Sequence, residues 1–259
     1  MPYAGIDVGA KTIKVVFLDE KQVLFSRIVE SEESAEIASK LVLDEGLQNT
    51  GLSFSDIRVV VATGIGQGDV TLASLKRSEQ VCHARGAYWL YPEARTVIDL
   101  GYFGVRAMKL DNSGRMVKFA TNPKCAAGTG VFLESIAHVL GIPVEKMGEI
   151  AAEATSNVEI TGLCAVFAES EVISHVHKGI SLEQISAGIH ESAVSRLLEV
   201  VNHVGVQEKV VVTGGVAKNK GIIKALERRL GVKVSVPPEP QIIGALGAAL
   251  IGMGQVGKC

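Results

Sequence analysis

A strand pattern that occurs twice along the chain constrains the fold more than any other feature. Apolar runs predict strands over residues 4–8 and 12–18, and a helix and a valine-rich strand come later in the first third of the chain. The pattern begins again over residues 96–100, where the strand contains Asp99 as the first contains Asp7. An internal duplication of this kind predicts two lobes that share one plan of strands and helices.

The composition agrees with buried strands that are covered by helices. The 259 residues are 47% hydrophobic and only 5% aromatic, so the apolar mass is aliphatic. This length is enough for one large domain or two lobes. We predict a first lobe over residues 1–94, a second over 95–240, and a C-terminal helix over 241–259 that packs back on the first lobe.

Charge and hydropathy exclude several classes of function. A net charge of -2, without long runs of either sign, argues against a nucleic-acid-binding surface. The N-terminus lacks a basic region followed by an apolar stretch, so we predict no signal peptide. Residues 241–257 are uncharged but contain five glycines and are too short for a full membrane span. We therefore expect a cytoplasmic protein.

Three glycine-rich turns follow predicted strands, and such turns let backbone N–H groups approach phosphate oxygens. Alone, each is most simply a tight turn, but three in order within a duplicated pattern indicate a nucleotide site. Asp7 and Asp99 are placed to orient Mg²⁺, and Lys11 suits a phosphate. Neither a Walker A motif nor a Rossmann glycine motif is present. The candidate nucleotide contacts are Gly9, Ala10, Lys11, Thr12, Gly101, Gly214, Gly215, Val216, Lys218 and Asn219.

Cys125 and Cys164 each lie at the start of a predicted helix, where the helix dipole lowers the pKa of a thiol. Two thiolates are half of what an iron–sulfur cluster usually takes, so a cluster here needs ligands from another subunit. The alternative is that both are small buried hydrophobes, and a disulfide is disfavoured in a reducing compartment. Glu169 and Glu171 follow Cys164 in the sequence. One interpretation is that they orient a partner or the nucleotide site, and the other is that they lie on a solvated helix face.

The order of the Asp-Val-Gly, Asp-Leu-Gly and Thr-Gly-Gly turns resembles that of the actin, hexokinase and Hsp70 ATPases. This resemblance implies two ribonuclease H-like α/β lobes with ATP in the cleft between them. It implies that Asp7 and Asp99 act as the catalytic carboxylates of the first and second phosphate loops. Residues 214–219 correspond to the adenosine loop, and the implied cofactors are ATP or ADP with Mg²⁺.

A narrower resemblance covers nearly the whole chain and depends on the two cysteine motifs, residues 124–130 and 164–174. These are similar to the BadF/BadG/BcrA/BcrD ATPase family, which contains activators of 2-hydroxyacyl-CoA dehydratases and ATPase subunits of benzoyl-CoA reductase. The resemblance implies a [4Fe–4S] cluster shared by two protomers, with Cys125 and Cys164 as this chain's ligands. It also implies an anaerobic organism, electrons from ferredoxin, and partner subunits that bind acyl-CoA. Further expected nucleotide contacts are Gly128, Thr129 and Gly130.

One departure from the dehydratase activators distinguishes the two branches of this family. Activators have a polar Gly-Gly-Gln-Asp in the second loop, whereas this chain has Gly101-Tyr102-Phe103-Gly104. That loss resembles the smaller ATPase subunit of benzoyl-CoA reductase, and it predicts a heterodimer and weak ATP hydrolysis by the chain alone. A homodimeric activator of a 2-hydroxyacyl-CoA dehydratase is the alternative, and a small-molecule kinase of the same fold is a distant one.

Overall fold

The computed structural model describes residues 1–31, 34–122, 129–161 and 165–256. The chain forms two compact units. The first comprises Met1–Val97, Leu110–Val117 and Pro237–Cys259, and the second comprises Ile98–Lys109 and Lys118–Val236.

The first sheet has five strands in the order β3-β2-β1-β4-β5. Strand β1 pairs antiparallel with β2 and parallel with β4. Its central strands β1 and β4 are buried throughout, as expected of strands covered on both faces. The strands are β1 (Tyr3–Val8), β2 (Thr12–Leu18), β3 (Val23–Glu30), β4 (Val60–Thr63) and β5 (Leu75–Lys76).

The second sheet repeats the first. Its order, β8-β7-β6-β9-β10, places each strand where its counterpart lies in the first sheet, and its central strands β6 and β9 are also buried throughout. The predicted α/β fold with two ribonuclease H-like lobes is confirmed. The strands are β6 (Thr96–Leu100), β7 (Val105–Leu110), β8 (Met116–Thr121), β9 (Val210–Thr213) and β10 (Val234–Ser235).

Eight helices lie in the described residues, with three short 3-10 helices at Phe54–Asp56, Gln67–Asp69 and Gly215–Lys218. Several α-helices end as their sequences indicate, with a glycine of positive φ directly after the last helical residue. The α-helices are α1 (Ala35–Thr50), α2 (Glu79–Leu90), α3 (Gly130–Leu140), α4 (Val144–Ala152), α5 (Ala165–His177), α6 (Leu182–Val204), α7 (Lys220–Leu230) and α8 (Ile243–Val256).

Helix α8, rich in glycine and alanine, packs against α2 and the central strand β1 of the first unit. The backbones approach closely because small residues meet: a Cβ on Gly5 would lie 2.6 Å from the backbone nitrogen of Ala249. On Gly247 it would collide with the backbone carbonyl of Cys82. Helix α8 is therefore part of a tightly packed core. Across the residues that the structure describes, every helix is too short or too polar to cross a membrane.

The structure differs from the predicted elements in two places. The helix expected from about residue 127 begins at Gly130, because Thr129 is extended and serves as its N-cap residue. Cys125 therefore does not begin this helix; the residue itself lies outside the described residues. Strand β5 is an addition that the sequence did not predict, since two residues are too few for a periodic signal.

Candidate functional site

The first predicted phosphate loop connects β1 and β2 in the first unit. Asp7 is 4% exposed, and its Oδ2 lies 3.4 Å from Nζ of Lys14, its register partner on β2. The turn is closed by a hydrogen bond from the Gly9 amide to the Thr12 carbonyl, 3.0 Å. A Cβ on Gly9 would lie 2.7 Å from Lys14 Nζ, so the glycine leaves room for the lysine head group. The predicted residues therefore form a tight turn beside a buried ion pair.

The second predicted loop has the same construction in the second unit. Asp99 is 2% exposed, and its Oδ2 lies 2.9 Å from Nη1 of Arg106 on the neighbouring strand β7. Its Oδ1 accepts a hydrogen bond of 3.2 Å from the Thr213 hydroxyl. The Gly101 amide donates to the Gly104 carbonyl at 2.8 Å, which closes the turn. Both loops thus place a buried carboxylate against a cation.

Lys14 and Arg106 are two functional candidates that sequence reasoning missed. Each cation lies on the strand that follows the aspartate strand in the chain and neighbours it in the sheet. The signal was present, because each cation follows its aspartate by the same spacing: Asp7 with Lys14, and Asp99 with Arg106. The spacing has meaning only when a tight turn folds the second strand back on the first.

A glycine of positive φ lies beside each of the two aspartates, directly after the strand that neighbours the aspartate strand on its other side. Gly64 follows β4 with φ 95°, and a Cβ there would lie 2.7 Å from Asp7 Oδ1. Gly214 follows β9 with φ 89°, and a Cβ there would lie 2.7 Å from Asp99 Oδ1. Gly214 was predicted as a nucleotide contact and Gly64 was not. The duplication therefore extends from strand order to the atoms around each carboxylate.

The third predicted loop leads into α7 of the second unit. Asn219 is the N-cap residue, and its Oδ1 accepts hydrogen bonds from the amides of Gly221 and Ile222 at 2.9 and 3.1 Å. The same oxygen lies 3.0 Å from Nε2 of His190, a residue whose pKa is lowered by burial. Within the described residues, Asn219 Nδ2 is buried and has no hydrogen-bond partner. A buried N–H without an acceptor is costly, so this amide fits a site for a polar ligand.

Other residues of the third loop have different surroundings. Val216 is buried and belongs to the apolar core of the second unit, so its side chain is not available to a ligand. Gly215 and Lys218 are exposed. A cavity of about 530 Å³ opens between α4, α6 and α7, and none of the predicted nucleotide contacts lines it.

The start of α3 is hydrogen-bonded to the second loop. The amides of Gly130 and Val131 donate to the carbonyls of Gly101 and Tyr102 at 3.1 and 3.0 Å. These are first-turn amides that have no acceptor within the helix. Thr129 is fully buried beside them, and Gly128 lies outside the described residues. The structure therefore brings together residues of two predicted motifs, the second loop and the segment that follows Cys125.

Glu169 and Glu171 both have partners, so neither is merely part of a solvated helix face. Glu169 of α5 accepts a hydrogen bond from the Ser135 hydroxyl and so joins α5 to α3. Glu171 accepts from the amide of Thr161 at 2.8 Å and also from its hydroxyl. Helix α5 begins at Ala165, directly after Cys164 in the sequence. The two glutamates therefore tie this helix to the segments around it.

The proposed cluster ligands Cys125 and Cys164 lie outside the described residues. Within the described ranges, no group of three or more His, Cys, Asp or Glu side chains is arranged to hold a metal ion. The donor set in the sequence still suits a cluster, because two thiols per protomer supply four ligands in a dimer. Asp7 and Asp99 are oxygen donors of the kind that Mg²⁺ takes, directly or through water.

Cys82 in α2 is fully buried, and burial raises the pKa of its thiol to about 12. The thiolate is the reactive form, so at pH 8 we expect Cys82 to resist alkylation by iodoacetamide in the folded protein and to react after unfolding. Peptide mass spectrometry of samples treated before and after denaturation measures this. Rapid labelling of Cys82 in the folded protein would show that α2 and α8 separate readily.

Two α/β units, each with a buried aspartate and a glycine turn after its central strand, have the fold of the actin, hexokinase and Hsp70 ATPase superfamily. The chain belongs to the BadF/BadG/BcrA/BcrD ATPase family, whose sequence profile matches residues 4–252. The family predicted from the cysteine motifs is thereby confirmed.

Relatives from both branches of the family are similar to this chain. A 2-hydroxyisocaproyl-CoA dehydratase activator from Clostridioides difficile is 42% identical over 246 residues, which cover 95% of this chain and 92% of the relative. One of the subunits of benzoyl-CoA reductase from Thauera aromatica is 34% identical over 261 residues, which cover 96% and 92%. The solved structure of the activator of the 2-hydroxyisocaproyl-CoA dehydratase from Clostridium difficile with bound ADPNP superposes with a TM-score of 0.93 at 40% identity, covering 100% of this chain and 96% of that one.

Proposed function

We propose that this chain is the ATPase activator of a 2-hydroxyacyl-CoA dehydratase. It would use ATP to drive low-potential electrons from ferredoxin to the dehydratase through a [4Fe–4S] cluster shared by two copies of the chain. The identity of 42% to a dehydratase activator, against 34% to a benzoyl-CoA reductase subunit, favours the activator over the reductase subunit that the second loop suggested.

The observation that carries the proposal is the connection between the second loop and α3. Hydrogen bonds from Gly130 and Val131 make the loop and the helix start a continuous structure. The loop begins at the buried Asp99, and the helix follows Cys125 by five residues in the sequence. A loop that changes with the nucleotide state would therefore displace the segment that carries a proposed cluster ligand. Coupling of this kind requires that the two nucleotide states differ in contacts at the loop.

The hydrogen bond from Ser135 of α3 to Glu169 of α5 extends the connection between the second loop and α3 to α5. Because α5 begins directly after Cys164, both cysteine segments adjoin helices that are joined to each other. The cluster would supply one-electron transfer at low potential. In this proposal the glycine turns bind phosphate. Lys14 and Arg106 neutralise the buried Asp7 and Asp99, and the hydrogen bond between Ser135 and Glu169 keeps the two helices together.

Benzoyl-CoA reductase remains the second candidate because one structural observation favours it. Phe103 in the second loop is 51% exposed and packs edge-on against Tyr102, with ring centroids 4.8 Å apart. The loop therefore presents aromatic surface where a polar residue would orient an attacking water. In this case the partner would be an unlike ATPase subunit, together with the reductase subunits that bind acyl-CoA.

The experiment that separates these functions uses the chain alone, purified without oxygen. As a homodimer with ATP, Mg²⁺ and a low-potential reductant, it should activate a 2-hydroxyacyl-CoA dehydratase, measured as enoyl-CoA formed from the hydroxyacyl-CoA. The physical reason is that two identical protomers supply all four proposed thiolate ligands. Cys164→Ser in the same assay is the control and should give no product.

A different result would favour a role as an ATPase subunit of benzoyl-CoA reductase. Negligible ATP hydrolysis by the homodimer, with electron transfer to a benzoyl-CoA reductase module only after an unlike ATPase subunit is added, would favour the second candidate. Absence of both iron and nucleotide binding would contradict both functions.

A further inference from the structure

Arg106 lies along the second loop as well as against Asp99. Its side chain is 16% exposed, so the guanidinium is largely enclosed by protein. A Cβ on Gly101 would lie 3.4 Å from Nη1, and one on Gly104 would lie 3.8 Å from the same atom. Because the two glycines have no side chains, nothing at these positions separates the loop backbone from the positive charge of Arg106.

The loop sequence by itself offers little to a phosphate. Tyr102 and Phe103 follow Gly101 directly, and their aromatic rings pack on each other. Arg106 supplies a charged group to this loop from the next strand, β7. A guanidinium presents five N–H donors in a planar fork, which is enough to bind a carboxylate and a phosphate oxygen together.

The first unit supports the same assignment independently. Lys14 occupies the corresponding position, with its Nζ 3.4 Å from the buried Asp7 and close to the backbone of Gly9. Two sheets that have diverged widely in sequence both keep a cation between a strand-end carboxylate and a glycine turn. Because the glycine turn follows each aspartate directly, a cation that pairs with the carboxylate also lies beside the turn, where it can contact a bound anion.

We propose that Arg106 contacts a phosphate group of the bound nucleotide, and that Asp99 positions its guanidinium for this contact. The proposal rests on the nucleotide site of the proposed function and assigns it a residue outside the glycine turns. Arg106 then provides a positive charge beside a loop whose own side chains, Tyr102 and Phe103, carry none.

The test compares two ligands that differ only in phosphate. Titration calorimetry with Mg²⁺ measures the Kd of a non-hydrolysable ATP analogue and of adenosine. Arg106→Gln should weaken the analogue by about tenfold or more, the loss expected when a charge-assisted hydrogen bond is removed. Adenosine should bind as before. Arg115→Gln is the matched control, because Arg115 pairs with Asp111 at 3.2 Å in an exposed hairpin and should change neither Kd.

A second pair of variants keeps the test valid if Arg106→Gln fails to fold with Asp99 unpaired. Asp99→Asn needs no counter-charge, so Arg106→Gln is introduced into that background and compared with Asp99→Asn alone. A further loss of analogue affinity is expected. Equal losses for the analogue and adenosine, or no loss in either background, would overturn the proposal. If wild-type protein binds the analogue but does not activate any dehydratase, the proposed function fails while the assignment of Arg106 stands.

Discussion

Serine at Cys125 or at Cys164 is expected to abolish iron binding. In a homodimer each replacement removes two of about four thiolate ligands, and a serine hydroxyl is a poor substitute for a thiolate at neutral pH. Iron per dimer should fall from about four atoms to nearly none, and the visible absorption of the anaerobic protein should disappear. Iron analysis and absorption spectroscopy measure both.

Cys82 provides the control for this prediction. It is buried in α2 with a thiol pKa of about 12, so Cys82→Ala should retain iron. All the variants should still bind nucleotide, because the nucleotide contacts proposed in the described residues do not include a cysteine. If a protein with serine at both Cys125 and Cys164 keeps its iron and colour, the assignment of the cluster ligands is wrong.

Alanine at Gly214 is expected to weaken nucleotide binding by about a hundredfold. With φ 89° and ψ 171°, Gly214 occupies a backbone region open essentially only to glycine, which costs other residues about 1–3 kcal/mol. The new Cβ would also lie 2.7 Å from Asp99 Oδ1 and would collide with the Leu100 carbonyl. The loop must shift to relieve this strain and collision. If nucleotide binding requires the original loop position, restoring it costs ~3 kcal/mol, which corresponds to the hundredfold loss of affinity.

Gly231→Ala is the matched control for this effect. Gly231 ends α7 with φ 70°, and a Cβ there would meet nothing within 4 Å. Its replacement should lower thermal stability through backbone strain while leaving the Kd for an ATP analogue unchanged. Equal losses of affinity in the two variants, or normal binding by Gly214→Ala, would show that the third loop lies away from the nucleotide.

Much of the architecture could be predicted because its signals are local. The central strands β1 and β6 are short, mainly apolar runs that are followed by glycine, and Asp7 and Asp99 lie within these runs, one residue from the end. The start of α3 was placed wrongly because the stretch from Ala126 to Gly130 contains both helix-favouring and helix-breaking residues. The choice between these depended on Thr129, which is extended so that the next two amides can bond to the second loop.

The candidate site was predicted less completely than the fold. The glycine turns and strand-end aspartates were found, but Lys14, Arg106 and Gly64 were not. Each of these belongs to the site only because another strand lies beside it: β2 folds back on β1, β7 lies beside β6, and β4 runs parallel to β1. Whether Glu169 lies on a solvated helix face could not be predicted either, because its hydrogen-bond partner, Ser135, is distant in the sequence.

The sequence by itself determined the duplicated α/β plan, the family, the acidic strand ends and the pair of cysteines, because each is carried by neighbouring residues or by a motif. Only the tertiary structure decided which charges meet. The ion pairs of Asp7 with Lys14 and of Asp99 with Arg106 arise from the pairing of neighbouring strands, and the hydrogen bonds from α3 to the second loop arise from helix placement. Register and helix placement depend on how whole sheets and helices pack, since burial of apolar surface is non-directional and acts over the entire unit.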